Sequence, residues 1–386
     1  MKLESMMKHA VASGVFAYLA LMHSAGLFAC TALVITDTQG RAYNGKTMEF
    51  SFPIPLQMEY VPAGATIRST TPQDEAGMQF NTKYPVLGLG MSLSPTAHQD
   101  TMVEGINNQG LSLSSNEFND SKAPSTRGMA RHTILAATDF GLWVLGNFQT
   151  VEQVEHALTS GQVHVWLPKV PFLGGAPMPV HYAIFDKTGA GIVVEYVKGQ
   201  QTVDRNEVGV MTNIPAFSWH VQNLNNYAFL NHQDRNQGQF NHLKVAAPDS
   251  GNALVGLPSD QTSAGRFVKA AYDTQFVRKA KTPDDAITTL AHILNNFDRP
   301  YDLSIDPPGS VGDGPALKTS SSEVTLFTWM ADKARNRFYL RTIDSYNYTM
   351  IDMNKLSGET TIKKIPLARF DQVSSSDATD LLRSKH

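Results

Sequence analysis

A single cysteine, Cys30, serves all 386 residues. No internal disulfide can staple this chain and no thiolate cluster can hold zinc, so the fold has to rest on an apolar core. Hydrophobic residues make up 42% of the sequence and charged residues 17%, the composition of an ordinary globular protein with such a core. Cys30 also stands directly after Leu27-Phe28-Ala29, the end of a segment built like an export signal. Lys2 and Lys8 give it a positive start, Val15–Met22 an apolar centre, and Ala29 a small residue at the junction. Ser13, Gly14, His23 and Ser24 interrupt the apolar stretch, which falls short of the roughly 20 residues a spanning helix needs. The expectation is a signal peptide over 1–29 and a mature chain over 30–386, secreted or periplasmic, with no stable membrane insertion.

Cleavage after Ala29 would put a free α-amine and a thiol on one residue. An α-amine with a pKa of about 7.7–8.0 can take the proton of a thiol with a pKa of about 8.5, and the thiolate attacks carbonyl carbon. Two other readings stand beside this one. Leu27-Phe28-Ala29-Cys30 resembles a lipoprotein box, where lipid on the cysteine would cap both groups and leave an anchored, non-catalytic envelope protein. Phe28 is bulky for such a box, and Thr31 opens a strand-like run instead of a flexible tether. Cys30 could also be a core residue, as free cysteines often are.

The formal charge of −3 becomes −4 once Lys2, Lys8 and Glu4 leave with the signal, and no run of Lys or Arg follows. Nothing here suits nucleic acid or an anionic membrane. There is no phosphate loop and no dinucleotide fingerprint. Gly110-Leu-Ser-Leu-Ser114 lacks the second glycine of a serine-hydrolase elbow. None of the 12 histidines forms a His-x-x-x-His or His-Glu pair, so a zinc or iron site is not expected. His220, beside Trp219, is the one histidine to watch.

Strand hairpins are interspersed with helices along the chain. Thr31–Thr36 is a β-branched run, and Asp37-Thr-Gln-Gly40 turns it into a second strand over Ala42–Met48. Met102–Ile106 with Leu111–Ser115, His181–Phe185 with Gly191–Tyr196, and Val324–Ala331 with Arg337–Thr342 repeat the arrangement, and Asn347–Asp352 adds a strand. Thr150 with Gln153 caps a helix running to Leu158, and Thr282 with Pro283 starts one running to Asn296. Apolar spacing predicts further helices over Ser263–Lys279 and Arg131–Asn147. Asn231–Lys244 reads as a long loop and 373–386 as a flexible tail. Hairpins mixed with helices, without regular β-α alternation and without a linker, predict one α+β domain with layered antiparallel sheets.

Several segments, in order, resemble the choloylglycine hydrolase/penicillin V acylase family of N-terminal nucleophile hydrolases. They are Cys30-Thr31 before a strand, Gly45-Lys-Thr-Met-Glu-Phe50, Gly105-Ile-Asn-Asn-Gln-Gly-Leu111, Met211-Thr-Asn-Ile-Pro215, and Leu257-Pro-Ser-Asp260 through Ser263-Ala-Gly-Arg-Phe-Val-Lys269. The resemblance implies an αββα four-layer sandwich and hydrolysis of a linear amide bond in an N-acylated small molecule, without cofactor. It implies Cys30 as nucleophile, its α-amine as base and then acid, Arg266 as the cation near thiolate and oxyanion, and Asn213 as an oxyanion donor. Glu49 takes the place of the family's aspartate on the α-amine, and Lys46 that of an arginine, keeping the charge without the planar fork. Glu117 falls where the family carries asparagine or tyrosine. Phe50, Phe52, Phe118 and Trp143 are candidates for an apolar acyl pocket, with Glu117 beside the substrate. Conjugated bile salts, phenoxyacyl β-lactams and N-acyl homoserine lactones all remain open as substrates, as do a homo-oligomer and an inactive amide-binding relative.

Overall fold

The β-branched run at Cys30 forms one side of a long hairpin that founds the first sheet. In the computed structural model, which describes residues 28–93, 97–307 and 322–371, strand β1 spans Phe28–Thr36 and β2 spans Ala42–Phe50. The expected signal up to residue 27 and the tail lie outside the described residues. Further strands are β3 (Gln57–Val61), β4 (Val86–Met91), β5 (Thr101–Asn107), β6 (Ser112–Glu117), β7 (Val180–Phe185), β8 (Gly191–Val197) and β9 (Gln200–Arg205). They continue with β10 (Val210–Met211), β11 (Val324–Asp332), β12 (Arg337–Thr342), β13 (Thr349–Asp352) and β14 (Lys363–Pro366). A six-stranded antiparallel sheet runs β10-β1-β2-β11-β12-β13, and an eight-stranded one runs β9-β8-β7-β6-β5-β4-β3-β14.

Five helices complete the layers among the described residues: α1 (Ala137–Asn147), α2 (Val151–Thr159), α3 (Phe217–Asn223), α4 (Ser263–Phe276) and α5 (Pro283–Asn295). Helices α1 and α2 cover the eight-stranded sheet, while α4 and α5 cover the six-stranded one. The result is the αββα order, with one core that takes in both sheets and a second that includes residues of β1, α4 and α5. Local chemistry sets the helix starts. The side chains of Thr150, Thr262 and Thr282 accept hydrogen bonds from the backbone of Gln153, Gly265 and Asp285, and Pro283 sits at the first helical position.

Two of the segments read from the sequence take a different form in the structure. The helix expected over Arg131–Asn147 begins only at Ala137, after a 3-10 turn and the short strand Ile134–Ala136, which pairs in parallel with His164–Trp166. Ile134, Leu135 and Ala136 are all buried, a continuous apolar run instead of a helical stripe. The loop expected over Asn231–Lys244 contains a hairpin strand, Gln237–Phe240, paired with Leu243–Ala246. Every residue of that hairpin but Val245 is exposed, so no alternation marked it.

Close approach dictates glycine at two positions. A Cβ on Gly45 would stand 2.6 Å from the Trp329 carbonyl oxygen and 2.7 Å from Leu294 of α5. One on Gly88 would stand 2.0 Å from the Glu104 carbonyl oxygen, inside the β4–β5 ladder. Because that obstacle is backbone, Gly88→Ala is expected to destabilise the fold by about 2–3 kcal/mol or more, read as a lower midpoint in urea with unchanged slope.

Candidate active site

The register of β1 against β2 sorts the site residues between two faces. Cys30 pairs with Met48, Ala32 with Lys46, Ala29 with Glu49 and Thr31 with Thr47. Because strand side chains alternate, Cys30, Met48 and Lys46 face the eight-stranded sheet, while Thr31 and Glu49 face the helices. The Cys30 thiol is fully buried and lies 3.3 Å from the Met48 sulfur. Burial pushes its pKa from 9.0 up to about 12, against the pull of Lys46 and Arg266. A peptide bond precedes Cys30 here, and its backbone N–H donates to Asn213 Oδ1 at 2.8 Å.

Arg266 projects from the first turn of α4 onto the helix side of β1. Its guanidinium donates to the Cys30 carbonyl, to Thr31 Oγ1 at 2.8 Å, to Asn213 Oδ1 at 2.9 Å and, through Nε, to the Gln261 carbonyl at 3.0 Å. Four fixed acceptors leave it no freedom to swing. Burial, with the nearby Arg299 charge, lowers its pKa to about 10, so it stays cationic at neutral pH. Glu49 is equally buried. Its Oε1 accepts from Thr325 at 3.0 Å, and its Oε2 has no hydrogen-bond partner among the described residues. Burial raises the Glu49 pKa from 4.5 to about 7, with Arg266 and Arg299 pulling the other way.

Asn213 is held from several sides. Its Nδ2 donates to the Glu117 carbonyl at 3.0 Å, its backbone N–H to Ser263 Oγ at 2.9 Å, and its own carbonyl meets His220 Nε2 at 2.9 Å. Burial lowers the His220 pKa to about 4, so a neutral imidazole carries its proton on Nε2 and donates it to Asn213. His220 therefore stands behind Asn213 without facing the thiol directly.

Asn116, which the sequence reading passed over for its neighbour Glu117, points at the same place. Its Nδ2 donates to the Thr212 carbonyl at 2.6 Å and lies 3.5 Å from the Cys30 carbonyl, while its Oδ1 has no partner among the described residues. The signal that could have found it is the Asn-Glu-Phe run itself, in which a one-residue shift exchanges the two side chains. Lys46, fully buried, donates to Glu104 and to the Ser115 carbonyl.

Two concavities meet at Glu117. One is apolar, lined by Met48, Ile54, Met91, Leu93, Val103 and Met178 among others. The other is polar, lined by Ala29, Asn213, Arg266, Arg299, Asp306 and Glu323 among others. The aromatic candidates line neither. Phe50 packs edge-on against Phe52, Phe118 stacks on His181, and Trp143 packs against Phe140 and Phe148. Phe50, Phe118 and Trp143 are buried core, and the apolar concavity is lined by methionines and aliphatic residues instead.

The family model of linear amide C–N hydrolases, choloylglycine hydrolase family, matches residues 30–364. The chain belongs to that family. It is 30% identical over 333 residues to the bile salt hydrolase/transferase of Clostridium perfringens, covering 84% of this chain and 93% of that one. It is 21% identical to the penicillin V acylase of Pectobacterium atrosepticum over 86% of this chain and 83% of that one. The crystal structure of a variant of the conjugated bile acid hydrolase from Clostridium perfringens superposes with a TM-score of 0.72 at 27% identity, over 90% of this chain and all of that one. The penicillin V acylase from Agrobacterium tumefaciens shares the fold with a TM-score of 0.67 at 20% identity, over 88% of this chain and 92% of that one. The protein is thus a linear amide C–N hydrolase with the fold of the N-terminal nucleophile enzymes.

In this hydrolase the buried Glu49 has a measurable signature while Cys30 remains within an uncut chain. A carboxyl whose native pKa lies above its unfolded value binds its proton more tightly when folded. Its contribution to stability is full below about 4.5 and is lost as pH rises through about 7. Glu49→Gln is expected to raise the thermal midpoint of the uncut chain by several degrees at pH 8 and to leave it nearly unchanged at pH 4.5. Equal effects at both pH values would contradict an ionising, buried Glu49.

Proposed function

We propose that this protein is an exported amidohydrolase in which Cys30, freed at its amino end by cleavage after Ala29, cuts an N-acylated small molecule through an acyl-thioester. The observation that carries the reading is the convergence of Arg266, Asn213 and Asn116 on the backbone of Cys30, with the sulfur turned toward the apolar concavity side of β1. The family match also begins at residue 30.

The chemistry follows from the placement of the groups. The α-amine accepts the thiol proton, and the thiolate sulfur bonds to the amide carbon. The carbonyl oxygen becomes an oxyanion near Asn213 Nδ2, whose present acceptor is the Glu117 carbonyl. Collapse breaks the C–N bond, and the amine leaves with the proton held by the α-ammonium. Water, deprotonated by the same amine, then attacks the thioester and returns the thiol. Lys46 and Arg266 supply positive charge on the two faces of β1. Glu49 Oε2 and Asn116 Oδ1, both short of a partner, are acceptors for the ammonium that cleavage would create.

The apolar concavity suits the acyl part. Met48, Met91 and Met178 give it soft, adaptable walls, which fit an alkyl or aryl chain better than they fit one rigid shape. The amine part falls to the polar cleft, where Ala29 now lies. Conjugated bile salts, phenoxyacyl β-lactams and N-acyl homoserine lactones present such an acyl group and are the substrates to try.

Turnover of that panel tests the reading. Cys30→Ser is expected to abolish hydrolysis while leaving the thermal midpoint close to native. Asn213→Ala is expected to lower kcat by about 10²–10³. A Cys30→Ser protein that keeps full activity would overturn the mechanism.

A further inference from the structure

The face of β2 that carries Met48 also carries a charge pair that the mechanism above uses only in part. Lys46 and Glu104 are both fully buried, Lys46 on β2 of the six-stranded sheet and Glu104 on β5 of the eight-stranded one. The ammonium donates to one carboxylate oxygen of Glu104 and, at 2.6 Å, to the Ser115 carbonyl. The other Glu104 oxygen accepts from Trp329 Nε1 at 2.9 Å, and the Trp329 ring stacks on Phe338 with centroids 5.0 Å apart. Glu104 is therefore fixed from two directions, and it fixes Lys46 in turn.

An ammonium in this interior would shed its proton without a carboxylate beside it, because burial penalises the charged form. Burial does work against the Lys46 charge, and the Cys30 sulfur once ionised together with the Glu104 carboxylate outweighs it, holding its pKa above the ordinary lysine range. Lys46 sits one strand pair along from Cys30 on the same face, since Ala32 and Cys30 oppose Lys46 and Met48. The positive end of the pair is the end that acts more strongly on Cys30: Lys46 favours the thiolate more than Glu104 disfavours it. A lysine lacks the planar fork by which an arginine would fix its own direction. Two rigid acceptors, Glu104 and the Ser115 carbonyl, supply that direction instead.

We propose that Glu104 is a positioning residue, holding Lys46 protonated and aimed along β2 so that its charge favours the Cys30 thiolate. The inference rests on Cys30 being the nucleophile, but its test needs no substrate. Cys30 is the only cysteine, so alkylation by iodoacetamide reports on it alone. The full chain is compared with Glu104→Leu and with the double variant Lys46→Met/Glu104→Leu. Replacing both partners of a buried pair with apolar side chains of similar size is often tolerated, so the double variant guards against a single variant that fails to fold.

The expected result at pH 8 is alkylation about 3- to 10-fold slower in both variants. The thiolate fraction falls about tenfold per unit of pKa, and the higher nucleophilicity of the more basic thiolate offsets part of that. The double variant should keep a thermal midpoint within a few degrees of native yet lose kcat/KM on any amide the native protein hydrolyses. A merely structural tether between the sheets would leave the alkylation rate of the double variant unchanged, and that result overturns the proposal. So does faster alkylation in Glu104→Leu, which would mean that Lys46 keeps its charge and place without Glu104. A native protein that hydrolyses no amide would count against the proposed function and leave the alkylation comparison to decide the role of Glu104.

Discussion

The pairing of β1 with β2 governs this site more than any single side chain does. Nine residue pairs in unbroken antiparallel register place Cys30 opposite Met48 and Ala29 opposite Glu49. A slip of β1 by one residue would turn its side chains over, sending the thiol toward the helices, onto the face that Glu49 already occupies. β1 lies between β10 and β2 and so is paired on both sides, and the β2–β11 ladder backs the hairpin in turn. Rigidity at Cys30 thus comes from backbone pairing, and the side chains inherit it.

Burial raises the electrostatic stakes of that arrangement. Cys30, Lys46, Glu49, Glu104 and Arg266 all sit in the interior within one short stretch of the two sheets. Each alone would be costly to bury charged, and each is offset by a neighbour of opposite sign or by backbone acceptors. Arg266 binds the Cys30 carbonyl, Thr31, Asn213 and the Gln261 carbonyl; Lys46 binds Glu104 and the Ser115 carbonyl. Lys46 and Arg266 pull the Cys30 thiol toward its thiolate, but burial outweighs them and it stays protonated. Release of an α-ammonium at that point would add a positive charge beside Glu49 and Asn116.

Much of this was legible in the sequence because it is local. Asp37-Thr-Gln-Gly40 announces its turn, Thr282-Pro283 its helix start, and the strands on either side follow by alternation. The residues quoted in the family resemblance, Cys30, Asn213 and Arg266, come together as neighbours in space. What could not be read depends on distant partners. Lys46 and Glu104 are 58 positions apart and meet only because two sheets stack. Val86-Leu-Gly-Leu-Gly-Met91 gave no strand signal, since its glycines answer to the crowding of Glu104 and Glu59 and not to local preference. Aromatic residues announced burial but not location, so Phe50, Phe118 and Trp143 belong to the core while methionines line the apolar concavity. Asn116 and Glu117 differ by one position, which on a strand puts their side chains on opposite faces.

The account turns on the amino end of Cys30. The measurement that reaches it most directly is the intact mass and amino-terminal sequence of the protein recovered from the cells that make it, in the cellular and the exported fractions alike. A chain beginning with unmodified Cys30 is the result the account predicts, with thiol and amine both free and Glu49 given a cation to bind. A terminus elsewhere, or a Cys30 made heavier by lipid, would contradict it, because the amine–thiol pair on which the chemistry depends would never form.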